Sequence, residues 1–221
     1  MESERRGTGS DLTGVFIAAA VFLLVVGLGL LYFSAERRAR EEARRIRCRG
    51  NLNQLAKGMA TYLWEEGDQR WYPFPLGQGL EPDDFGGAEW LATLYWTRTI
   101  PDPGCFICPS SHDTNRNGDD LGSSHAVRGR FGSQTISYAG MHYRSLADEA
   151  GNPKPGAIPD DFPPNEAMAS DDTQGTVNHR GTYAGMVVLF FDSHVEYWTR
   201  TKIDPERAVG MKGTELWRLR N

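Results

Sequence analysis

The hydrophobic residues of this chain follow two unlike patterns that meet near residue 35. From Val15 to Phe33 (VFIAAAVFLLVVGLGLLYF) nineteen residues pass without a charge. At about 1.5 Å rise per residue, such a helix just crosses a hydrocarbon core of about 30 Å. A buried core helix is seldom apolar on every face over that length. The run is also too long for a secretory signal, and no small-residue cleavage site follows it. Tyr32 and Phe33 suit one membrane interface. Further on the pattern turns amphipathic: Cys48, Leu52, Leu55, Met59, Tyr62 and Leu63 recur at steps of three and four, apart from the final neighbouring pair. Good helix formers and the pairs Glu36–Arg40 and Glu41–Arg45 join the two stretches, and no proline intervenes before Trp71. The pattern predicts one helix from about residue 12 to 66. It would follow a flank at 1–11, cross the membrane at 12–34, and continue at 35–66 into a soluble domain completed by 67–221.

After Gly67 the periodicity breaks. Trp71-Tyr72-Pro73-Phe74-Pro75 cannot be helical, and a Pro/Gly-rich loop runs on to Gly87. Ala88 to Tyr95 predicts a short helix, and Gln134 to Tyr138 a short strand. Residues 112–133 and 151–176 read as polar, Gly- or Pro-rich loops. Met186–Phe191 and His194–Trp198 are β-branched and aromatic runs, predicting a hairpin with a two-residue turn at Asp192-Ser193. Thr214 to Leu219 adds a last strand. A long N-terminal helix laid on a small antiparallel sheet with long loops is an α+β fold.

Charge sharpens this picture. The 221 residues carry a net charge of −5, which excludes a general nucleic-acid binder. Seven arginines nevertheless crowd Arg37 to Arg49. Placed after a membrane helix, they favour a cytoplasmic domain by the positive-inside rule. The three cysteines, Cys48, Cys105 and Cys108, decide no compartment by count alone.

Four separated motifs resemble the bacterial prepilin-type, type II secretion pseudopilin-like family. They are Ala43-Arg44-Arg45-Ile46-Arg47-Cys48 with Asn51-Leu52-Asn53-Gln54; Phe106-Ile107-Cys108-Pro109-Ser110; Ser137-Tyr138-Ala139; and Asn178-His179 followed by Val188-Leu189-Phe190-Phe191-Asp192-Ser193. The resemblance implies a pilin-like fold. It also implies a domain outside the cytoplasmic membrane, against the arginine count, and we follow the resemblance. One departure is plain. The glutamate that prepilins carry five residues after the cleavage site is missing, Ala19 standing fifth after Gly14. The anchor is therefore expected to remain uncleaved. In the family's hairpin the turn is Asp-Gly; here Ser193 takes the glycine position.

Read against this family, Cys48 and Cys108 lie in its motifs and are the preferred disulfide pair, with Cys105 the alternative to Cys108. Such a staple stabilises by about 2–4 kcal/mol. Cys105-Phe106-Ile107-Cys108 alone is half a zinc site, with no second Cys pair. Asp113, Asn115, Asn117 and Asp119 match the first half of a calcium loop, but Ser124 replaces the closing glutamate. Some pseudopilins hold calcium in a loop; a polar Asx-rich turn is the preferred reading. His179 and Asp192 are expected to make structural hydrogen bonds around the hairpin. The expected function is a non-enzymatic, membrane-anchored subunit or accessory protein of a secretion or envelope system. Its partners are lipid and other pilin-like or secretion-system subunits. The rivals are a membrane-anchored hydrolase or metal-dependent enzyme using the histidines, and a cytoplasmic scaffold.

Overall fold

The computed structural model describes residues 9–73, 86–124, 127, 130–132, 134–142, 158–171, 177–181 and 184–221. The flank up to residue 8, the stretch 74–85 and parts of the loops expected at 112–133 and 151–176 lie outside them. Helix α1 spans Gly9–Glu65. The chain forms two compact units, dividing between Ala43 and Arg44. In the first, the large apolar side chains from Val15 to Phe33 stand exposed on every face of the helix. Among the described residues this is the one helix long and apolar enough to cross a membrane. Glu36 and Arg40 form the expected pair one turn apart.

The second unit is α+β. Among the described residues its five strands are β1 (Tyr138–Met141), β2 (Ala167–Asp171), β3 (Gly185–Phe190), β4 (Val195–Thr199) and β5 (Leu219–Arg220). They form one antiparallel sheet in the order β4-β3-β2-β1-β5. Cys48, Leu52, Leu55 and Met59 of α1 are fully buried in the core, with Tyr62 and Leu63 packed half-buried beside them. That is the face its spacing predicts. Helix α2 (Gly87–Trp96) adds Trp90, Leu91 and Leu94 to the same core. The Glu89 carboxylate accepts the backbone N–H of Gly86 at the start of α2.

Four expectations need correction. Strand β2 lies inside the stretch 151–176 expected as loop. Its sequence, Ala-Met-Ala-Ser-Asp, has weak β propensity and no alternation, because the central strand of a sheet covered on both faces buries every position. Strand β1 begins at Tyr138, where the predicted strand ends, and the last strand is only Leu219–Arg220, preceded by turns. The β3–β4 connection has four residues, Phe191 to His194, rather than two. Phe190 N–H bonds His194 O at 3.0 Å and Ser193 N–H bonds Phe190 O at 2.9 Å, a turn followed by a left-handed residue, Ser193 at φ 70°.

The close seating of α2 on the sheet depends on missing side chains. A Cβ on Gly87 would stand 2.2 Å from the carbonyl oxygens of Gly140 and Arg220, and one on Gly140 would stand 2.3 Å from Gly87 O. Backbone cannot yield there as a flexible side chain would. Gly140→Ala is expected to destabilise the domain by about 1–3 kcal/mol or more in urea denaturation. Ser193→Gly relieves a left-handed side-chain conformation and should stabilise by about 0.5–1 kcal/mol in the same assay.

Candidate functional site

Four chemically active side chains meet inside the second unit. Cys48 projects from the buried face of α1, and Cys108 follows a short 3-10 turn at Pro103–Phe106. Asp171 ends the central strand β2, and His179 precedes β3, where it bridges Gly185. All four are buried, and one donor atom from each lies within 4.8 Å of the others. The Cys48 thiol donates to Asp171 Oδ1 at 2.9 Å. His179 Nε2 is 3.4 Å from Asp171 Oδ2 and 3.7 Å from Cys108 Sγ. Asp171 Oδ2 also accepts the backbone N–H of Val187 at 2.9 Å. Asn51 donates to the Tyr138 hydroxyl at 3.3 Å and to Ile107 O at 2.9 Å, tying α1 to the Cys108 segment.

The electrostatics follow from enclosure. Burial raises the Asp171 carboxyl, opposed by His179, Cys48 and the Val187 N–H. Burial also pushes the Cys48 thiol well up, with hydrogen-bonded Cys108 and the charge of Asp171 adding to it. Cys108 is lowered, first by its hydrogen bond with Cys48 and then by His179. Burial raises the Tyr138 phenol, helped by the neighbouring sulfurs and Asp171. Two sulfurs, an imidazole nitrogen and a carboxylate oxygen at mutual contact are a donor set that transition metals take.

The residues singled out from the sequence divide unevenly around this cluster. Cys48 and Cys108 belong to it together; Cys105 does not, its thiol facing Gln54 and Asp102 instead. All three cysteines are free thiols. His179 and Asp192, expected to act together around the hairpin, are apart. Asp192 caps the exposed β3–β4 turn, accepting the backbone N–H of His194 at 3.0 Å and pairing with its ring. His179 is instead enclosed with Asp171. Asp113, Asn115 and Asn117 line an open polar cleft of about 790 Å³ shared with Arg47, Gln54 and Cys105. The Asn115 amide is turned to Pro103 O at 2.7 Å, and Arg116 is paired with Asp120. Asp119 caps the end of the 3-10 turn Arg116–Gly118.

Asp171 was invisible to sequence reasoning, since it stands at the end of a strand read as loop. The local Cys-x-x-Cys spacing also drew attention to Cys105, while the spatial partners of Cys108 come from three distant segments. The usable signal was that Cys48, Cys108 and His179 each fall in a different motif of the set. No protein-family model, curated protein or solved structure matches this chain.

Cys105 offers a direct check on the assignment of the three thiols. Burial, the Asp102 charge and its hydrogen bond raise the Cys105 thiol to about 11. At pH 8 about one part in a thousand would be thiolate, so native alkylation should run at least about a hundredfold slower than for free cysteine. Because the shift is upward, the rate should climb about tenfold per pH unit towards 11. Site-resolved mass spectrometry after iodoacetamide pulses measures this, with the denatured chain as reference.

Proposed function

We propose that the chain is a single-pass membrane protein of pilin-like architecture, a pseudopilin-like subunit or accessory protein of a bacterial secretion or envelope system. It works by helix-mediated assembly with lipid and similar subunits, and its domain lies outside the cytoplasmic membrane. The observation that carries this reading is the division of labour along α1. Its first part is apolar and exposed on every face, and its second part buries one face in the α+β unit. Exposed apolar surface of that extent is stable in lipid or against like helices, not in water.

Two further observations support the reading. Cys48, Cys108, Tyr138 and His179 belong to the four motifs of the resemblance, and their side chains meet in one place. The buried cluster is also enclosed by protein, which favours a structural role over a hydrolase that must admit substrate. The exposed pair Asp192 and His194 lies on a hairpin turn and has no nucleophile other than Ser193 between them, whose φ of 70° serves the turn. The arginines after the anchor favour the opposite orientation, so topology is the deciding measurement.

A periplasmic phosphatase reporter fused after Asn221 is expected to be active, and a reporter active only in the cytoplasm would overturn the reading. Membrane attachment is tested separately. Arginine at both Leu24 and Val25 adds about 2.5–3.5 kcal/mol each to insertion at a helix centre. This double variant should move from the carbonate-resistant membrane fraction to the soluble or aggregated fraction.

A further inference from the structure

We propose that Cys48, Cys108, Asp171 and His179 are the four ligands of a closed structural zinc site that staples the second unit together. Zinc bonds of about 2.0–2.3 Å in tetrahedral array place neighbouring ligand atoms roughly 3.3–3.8 Å apart. The separations here are 2.9 Å for Cys48 Sγ to Asp171 Oδ1 and 3.7 Å for Cys108 Sγ to His179 Nε2, with His179 Nε2 3.4 Å from the second carboxylate oxygen, Oδ2. All four donor atoms lie within 4.8 Å of one another, so side-chain shifts of up to about 1 Å would bring them into a coordination shell. The mixed set of two sulfurs, one imidazole and one carboxylate suits zinc, a borderline-soft ion without a geometric preference of its own.

The protons balance on coordination: zinc would bind both sulfurs as thiolates, and their two protons would leave to solvent. His179 binds neutral through Nε2. Asp171 binds through Oδ1 and keeps the Val187 N–H on Oδ2. The remaining single negative charge meets the Tyr138 hydroxyl, which accepts from Asn51 and so has its own proton free for Cys48 Sγ.

All four positions are filled by protein and none opens to solvent, the pattern of a structural rather than a hydrolytic centre. The ligands come from α1, the Cys108 loop, the end of β2 and the segment before β3, so the ion closes two long chain loops, 48 to 108 and 108 to 171, and the short one from 171 to 179. This site does not depend on the membrane reading. It does exclude a Cys48–Cys108 disulfide in the same molecule, because both claim the same sulfurs.

The test uses the full-length chain purified in detergent through a tag without histidines, with zinc measured by inductively coupled plasma mass spectrometry. About one zinc per chain is expected. Chelation should lower Tm by at least about 5 °C and added zinc should restore it. Cobalt put in its place should give the absorption of a tetrahedral thiolate site. His179→Ala and Cys108→Ser should lose the metal, while Cys105→Ser keeps it. A wild-type chain that carries no zinc and takes none up after reduction overturns the proposal. So does a Cys48–Cys108 disulfide in the purified chain that persists in place of metal, a different resident metal, or a folded His179→Ala variant with full zinc. Should the variants fail to fold, the metal content and cobalt spectrum of the wild-type chain decide alone.

Discussion

Asp171 ends the central strand of the sheet with a carboxylate wholly shut off from water. A buried carboxylate is tolerated only where other groups take up its charge or its lone pairs. Here the Val187 N–H, the Cys48 thiol and the His179 ring do so, and they come from β3, α1 and the segment before β3. Satisfying one side chain therefore fixes how the N-terminal helix seats on the sheet. The remainder of the domain core, from Leu52 and Met59 to Trp90 and Leu189, packs around that constraint.

The same cluster gives the domain a reason to keep cysteines that lie 60 residues apart in the chain at Cys48 and Cys108. Apolar packing supplies the bulk of the stabilising free energy through the face of α1 and the core of α2. It is non-directional, however, and leaves rotation and register of a helix on a sheet weakly specified. Directional contacts at Cys48 and Asn51 supply what packing lacks, one to Asp171 and the other to Ile107 and Tyr138. Elsewhere the sheet is held close to its helix by absence of side chains, at Gly87 and Gly140.

For the proposed function, the two stretches of α1 carry separate tasks. One presents apolar surface for lipid or neighbouring helices; the other is part of a folded domain and cannot leave it without exposing Leu52, Leu55 and Met59.

The sequence by itself determined the membrane-compatible run, the amphipathic face from Cys48 to Leu63, α2 and the β3–β4 hairpin. Each is written in a periodicity or composition that only neighbours along the chain need to satisfy. It determined far less where burial is decided by distant segments. Strand β2 carries no alternation because both its faces are covered, and Ser193 permits a four-residue connection whose length only the pairing of the two strands reveals. The cluster is the plainest case. The motifs put Cys48 with Cys108 and His179 with Asp192. The fold keeps the first pair together and places His179 beside it and Asp171 instead, because a sheet brings distant segments to one point and the segment around Asp171 carries no local pattern that shows it.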